Sequence, residues 1–377
     1  MWRYSRIAAL DLARWHPAVA GDGEAPAGPE IDAALAVVAR NGRLELGDGA
    51  VELAARGVRV SPASALGEDE ARLGGLARGD DPFVALNDAF APDALVVEVG
   101  RGVVLDRPIV IRHHVDDADG AVFPRLVVRV GEGASARVVD HVTSAAAALS
   151  VPVTELEVAR GGRLAHVHVQ ELHPDAWQIG NLAGRVDQEG DLTVSLVALG
   201  GGYARLRTDV DLVGRGANGD LYAAYFGGGD QTLDFRTFQN HSAPDTTSNL
   251  LFKGAVGDRS RSVYTGLIRV DREARGTNAF QTNRNIKLSD DAWAESVPNL
   301  EIETNDVRCS HASTVGPVDP EQHFYLESRG VPPEVADRLI VAGFFDEVVR
   351  NLPVEALVEP VRAAIDAKLD AVGGVSA

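Results

Sequence analysis

Cys309 is the only cysteine in 377 residues, and His311 stands two positions beyond it in the run Arg308-Cys309-Ser310-His311-Ala312. Thiolate and imidazole are both ligand types for soft metals, and in an extended segment an i, i+2 spacing turns them to one face. Iron-sulfur clusters take about four such ligands, so this chain alone supplies a minority of the set. A cluster held here would be shared with another subunit. Cys309 also has a plainer reading, as a small buried hydrophobe.

Other candidate groups carry less. His166 and His168 share one face of Leu164-Ala165-His166-Val167-His168-Val169, but no third ligand is near in sequence, which favours a structural or solvated role. His113-His114 reads as a turn. From Arg205 to Leu212, Leu206, Thr208, Val210 and Leu212 fall on one face and Arg205, Arg207, Asp209 and Asp211 on the other. The alternation predicts a strand with one buried and one solvated side. A β-helix enzyme acting on acidic polysaccharides would need Asp for calcium and Arg as base, and this row is where such chemistry would have to sit. The Gly-x-Gly turns lack a following Lys-Ser/Thr or a Rossmann helix, so they read as turns and not phosphate cradles; there is no Walker A motif and no Gly-x-Ser-x-Gly elbow.

The elements that position these residues repeat. Short apolar strands such as Leu95–Val99, Leu126–Val130 and Leu192–Leu196 are separated by glycine-containing turns. The last glycines of five turns, Gly102, Gly133, Gly162, Gly190 and Gly216, are 31, 29, 28 and 26 residues apart. A period in this range predicts stacked solenoid coils, and strands without long intervening helices favour a β-helix over a βαβ sheet, with a two-layer β-sandwich as the alternative. We divide the chain into residues 1–92, mostly helical; 93–312, the mainly β solenoid; and 313–377, helical. Short helices are expected at Pro29–Val38 and near Glu68–Ala77, with a Gly/Pro-rich break at Gly21–Gly28. Pro332-Pro333 predicts the start of a helix with apolar positions Val335, Leu339 and Phe344, and Leu357, Val361, Ile365 and Leu369 form an i, i+4 row.

Composition narrows the partners. Lys+Arg 36 against Asp+Glu 55 gives a formal charge of -19, which opposes a nonspecific grip on nucleic acid or anionic lipid. No segment approaches the ~20 apolar residues of a membrane helix, and the first apolar stretch meets Asp11 too early for a signal-peptide core. One cysteine suits a reducing compartment, so a cytoplasmic location is expected.

Several separated blocks resemble the SufB/SufD family of iron-sulfur cluster assembly proteins. They are His241–Ser248, Arg284–Ser289, Pro298–Ile302, and the Cys-Ser-His run followed by Glu321-Gln322-His323-Phe324-Tyr325-Leu326-Glu327-Ser328-Arg329-Gly330. Within the family the chain is similar to the SufD branch, because SufB-like chains are longer and typically carry Glu-His-Glu where this one has Ser310-His311-Ala312. The resemblance implies a right-handed parallel β-helix flanked by N- and C-terminal helical segments. It implies a noncatalytic scaffold subunit pairing with a SufB-like paralogue and a SufC-like ABC-type ATPase, with His311 facing a partner cysteine where a nascent cluster forms. Cys309 matches only by position. No cofactor is then expected in the isolated chain, and nothing in the sequence assigns or excludes a flavin in the complex. Ile302 and Val307, in the last strand-like runs, are the expected pairing edge for the SufB-like subunit. Leu339 and Phe344 are the expected contacts for the ATPase.

Overall fold

A computed structural model describes residues 4–19, 21, 28–77 and 79–372. The turns the sequence lines up are the hinge of the architecture. Gly102, Gly133, Gly161, Glu189, Gly216, Asp245 and Gly276 all have φ between 54° and 75°, the left-handed region that glycine enters without a Cβ penalty. Each donates its N–H to a carbonyl one coil further on, from Gly102 to Glu132, Gly133 to Arg160, Gly161 to Gln188 and so on to Gly276 with Asp306, at 2.7–3.1 Å. The left-handed residues of the third and fourth turns are thus Gly161 and Glu189, one position before the glycines aligned from sequence. Gly162 is needed for a different reason, since a Cβ there would lie 2.9 Å from the Ala159 carbonyl oxygen.

Between these turns the chain winds a mainly β solenoid of about eight turns. Its strands stack in parallel into one 12-stranded and one 10-stranded sheet. The interior is filled by every second residue of both sheets, including Ile109, Val138, Val194, Leu221 and Phe252. The N-terminal end is capped by the helix Gly49–Ala55, whose Leu53 is buried in the core, set between two antiparallel strands. Arg43–Leu46 pairs with Leu35–Arg40, and Val58–Pro62 pairs with Leu95–Val99. Helices Pro320–Ser328, Pro333–Val349 and Val358–Ala371 follow the last coil, and the latter two share a core with outward residues of the 10-stranded sheet such as Val197, Phe226 and Ala255. In that core Leu357, Val361 and Ile365 are buried and Leu369 partly so, as their i, i+4 spacing requires.

Four local expectations are overturned. Pro29–Val38 is not a helix: Leu35–Arg40 is a strand, because Leu35, Val37 and Ala39 bury at period two against Ile109–Val115, and that pairing outweighs the alanine content. Near Glu68–Ala77 only Glu68–Ala71 is helical, ended by Arg72 in the left-handed region. His113 and His114 lie within the strand Ile109–Val115, not in a turn. The charged face of Arg205–Asp211 is largely covered, with Arg205, Arg207 and Asp209 each under 9% exposed beneath the segment carrying Asp81. The expected Gly/Pro-rich break falls largely at residues 22–27, outside the described residues.

The interior also holds charge. Asp140 stands in register with Ile111 and His168, which puts it on the inward face. Its carboxylate lies 3.1 Å from His113 Nε2 and 3.0 Å from His168 Nδ1. Burial opposes ionisation of Asp140, yet the two histidines hold it well below the usual carboxylate range. His166, fully enclosed between Val138 and Val194, is pushed by burial down to about 4, and so is His241, whose ring nitrogens meet Thr246 and Ser248. Both pKa values fall below the unfolded 6.5, so the folded state binds fewer protons than the unfolded chain between pH 6.5 and 4. Their stabilisation is complete above about pH 6.5 and is lost as pH falls toward 4, at about 3 kcal/mol per histidine at most. Thermal unfolding followed by circular dichroism should show the melting temperature dropping over that window. His166→Leu should flatten the drop, and a variant as acid-sensitive as the parent would contradict this origin.

Candidate functional site at the open end of the solenoid

Among the described residues, no strand lies beyond the last strand of either sheet. Trp293–Ile302 closes the 12-stranded sheet and Val307–Pro317 the 10-stranded one, and each pairs on one side only. The amides of Trp293 and Glu303 donate inward to the Ser260 and Val270 carbonyls, at 3.0 and 2.9 Å. In a parallel ladder this phase uses the odd-numbered amides and points those of Leu300 and Ile302 to the open edge. Pro298 sits at one of the outward positions, where its missing N–H breaks no internal bond.

Cys309 and His311 pair in register with Ala279 and Gln281, both buried, so both face the inner side of the final coil. The strand thus brings thiol and imidazole to one face, as their spacing requires. Cys309 is half-buried against Ile268, Val270, Ala274 and Ala279, and burial pushes its thiol up. Contacts of this kind are open to either a small hydrophobe or a thiol at the rim of the coil. His311 is exposed. Val307 packs into the same apolar cluster as Cys309, whereas Ile302 is 39% exposed at the rim. Among the described residues no cluster of three or more His, Cys, Asp and Glu is arranged to hold a metal ion.

The coil beneath His311 was not legible as part of the site. Gln281 is fully buried, and neither its Oε1 nor its Nε2 has a hydrogen-bond partner. Its amide crosses the interior to Gly266, where a Cβ would come 2.3 Å from Gln281 Nε2 and from Tyr264 Oη. Around it the interior turns polar: Asn283 Nδ2 donates to Tyr225 Oη at 2.9 Å, Tyr225 Oη to Asn285 Oδ1 at 2.8 Å, and Tyr264 Oη meets Thr237 Oγ1 at 2.9 Å. Above it Ser313 Oγ bonds Ser296 Oγ at 2.8 Å, tying the two terminal strands together. The only sequence signal was inward-facing Asn and Gln at period two from Gln281 to Asn285, and that signal reads equally well as a solvated face.

The other candidates lie apart from this end. His168 is one of the two imidazoles on Asp140, and His166 is enclosed between Val138 and Val194. Arg205, Arg207 and Asp209 are buried in ion pairs, Arg207 Nε with Asp209 at 2.6 Å, which leaves no open row for a polysaccharide. On the C-terminal helices a groove of about 730 Å³ is lined by Tyr325, Leu326, Leu339, Ile340 and Phe344. Leu339 is half-exposed, but Phe344 partly packs onto the sheet, with Lys253 Nζ 4.7 Å from its ring and donating to its carbonyl. No helix among the described residues is long and apolar enough to cross a membrane.

The class the fold defines is a mainly β solenoid of about eight parallel-stacked turns with helical segments at both ends. Residues 113–344 match the family described as "SUF system FeS cluster assembly, SufBD core domain". An iron-sulfur cluster assembly SufBD family protein of Mycobacterium leprae is 35% identical over 83% of this chain and 82% of its own length. One from Mycobacterium tuberculosis is also 35% identical, over 74% and 71%. The iron-sulfur cluster assembly protein SufD of Escherichia coli is 28% identical over 76% and 69%. The chain belongs to the SufBD family of iron-sulfur cluster assembly proteins.

The orphaned amide makes a stability prediction. Gln281→Leu removes two buried polar atoms that bond to nothing, so the melting temperature should hold or rise. Asn283→Leu strips partners from Tyr225 and Asn285 and should cost about 1–3 kcal/mol. Denaturant titration of both variants checks the contrast, and a Gln281→Leu variant as damaged as Asn283→Leu would show that the amide is satisfied in solution.

Proposed function

We propose that this chain is the SufD-like, noncatalytic subunit of a cytoplasmic scaffold that builds iron-sulfur clusters, pairing with a SufB-like subunit and a SufC-like ATPase. The observation that carries the reading is the uncovered end of the solenoid, where His311 stands exposed on a terminal strand. The cluster is cargo there: His311 offers one imidazole, and a partner strand laid along the edge supplies the remaining ligands. Cys309, half-buried with its thiol proton retained, keeps the strand packed and is not a ligand in this reading. Leu339 and the groove beside it offer the ATPase an apolar seat.

Two experiments test it. In the co-expressed complex, His311→Ala should reduce iron and sulfide content several-fold while Cys309→Ala changes it little, and the isolated chain should stay colourless after anaerobic reconstitution. Equal cluster yield from the His311 variant would remove the imidazole from the assignment. Ile302→Pro deletes an outward N–H and no internal bond, so size exclusion should show the SufB-like subunit released and the ATPase retained. Leu339→Asp should do the reverse, and a complex that keeps both partners in both variants would place the interfaces elsewhere.

A further inference from the structure

One register row of the 12-stranded sheet carries alternating charge across its outer face. Arg59 pairs with Glu98, Glu98 with Arg129, Arg129 with Glu157, and Glu157 with Arg185. The row continues through Asp211, Asn240 and Arg269 to Glu301 on the terminal strand. Over nine successive strands the sign reverses at every step except at Asn240, which is neutral and whose Nδ2 donates to Asp211 at 2.7 Å. Neighbours on one face of parallel strands lie about 5 Å apart, close enough for each charge to be stabilised by the two beside it. Arg129 shows this: its guanidinium is 3.1 Å from Glu98 and 3.5 Å from Glu157.

Glu301 is where the row stops. It has one neighbour, Arg269, at 3.9 Å, and that guanidinium is shared with Asp271 at 3.2 Å and Glu303 at 3.8 Å. Three carboxylates thus draw on a single cation. From Trp293 to Glu303 the edge carries Glu295, Glu301 and Glu303 and no Lys or Arg. It also presents the outward amides of Leu300 and Ile302, ready to pair with another backbone.

We infer that the strand which adds to this edge carries a Lys or Arg in register beside Glu301, so that the alternating row runs on across the subunit boundary. The inference rests on the edge-pairing reading above and names the chemistry of its partner. A second copy of this chain is the disfavoured occupant, because its own edge would bring carboxylates against Glu295, Glu301 and Glu303, and like charges on facing strands repel. Charge complementarity at such a boundary acts on partner choice and association rate more than on total affinity, and salt screens it.

The test titrates the purified SufB-like subunit from the same genome against the full chain and its variants, at low and high salt. Glu301 is half-exposed, so Glu301→Gln and Glu301→Lys should fold as the parent does, which circular dichroism checks. At low salt the Lys variant should bind about tenfold more weakly and the Gln variant about threefold, with the gap closing at high salt. Placing Glu at the partner's facing basic position should restore the Lys variant. Parental affinity for Glu301→Lys at low salt would overturn the inference. If Ile302→Pro breaks the complex while Glu301→Lys does not, the charge argument fails alone. If neither change matters, the edge-pairing reading fails with it. Self-association of the wild-type chain that Ile302→Pro abolishes would make a second copy the occupant and overturn the partner assigned here.

Discussion

In a parallel solenoid each coil satisfies the backbone of the next, and that single constraint organises this protein. Every strand must find its hydrogen-bond partners one coil away, so the turns have to return the chain to the same height each time. The left-handed residues from Gly102 to Gly276 do this, each handing its N–H to the coil that follows. Where the residue is not glycine, Glu189 and Asp245 adopt the strained conformation and keep the bond. Fixed register then stacks side chains in rows, and these rows are the elements from which core, charge ladder and site are built.

The constraint has an unavoidable remainder, since a finite stack has two ends with unpaired edges. The N-terminal end covers its core with the helix Gly49–Ala55, set between the antiparallel strands Arg43–Leu46 and Val58–Pro62. The C-terminal end does not. Its terminal strands stay open, with proline confined to a position whose N–H would have faced outward. An exposed edge of ten or so residues invites indiscriminate pairing unless something limits what can add to it. The three glutamates on Trp293–Glu303 are such a limit.

Interior chemistry follows the same polarity. Near the closed end the enclosed side chains are aliphatic, interrupted by Asp140 between His113 and His168, a charge made tolerable by its two flanking imidazoles. Toward the open end the filling changes to Tyr225, Tyr264, Gln281, Asn283 and Asn285. Burying so many polar groups costs stability, and most are repaid by hydrogen bonds to one another. Gln281 is the exception, and it lies directly under His311.

Much of this was written in local sequence. The 26–31-residue spacing of Gly102 to Gly216 pointed to stacked coils because one turn of solenoid needs a fixed length of chain. The i, i+2 spacing of Cys309 and His311 put them on one face because strands alternate, and the separated blocks around them carried the family. What local pattern could not decide was which face of a strand meets water. Arg205, Arg207 and Asp209 alternate as a solvated row should, yet a distant segment with Asp81 covers them. Leu35–Arg40 looked helical until Ile109–Val115 supplied its partner. The half-burial of Cys309, the exposure of His311 and the isolation of Gln281 all depend on there being no coil after Val307–Pro317. The alternating row ending at Glu301 is the clearest case: its members stand about 30 residues apart and acquire neighbours of opposite sign only when the coils stack. Sequence alone determined the repeat and the chemistry of single positions. Tertiary stacking decided burial and neighbours, because both are properties of chain segments brought together from far apart.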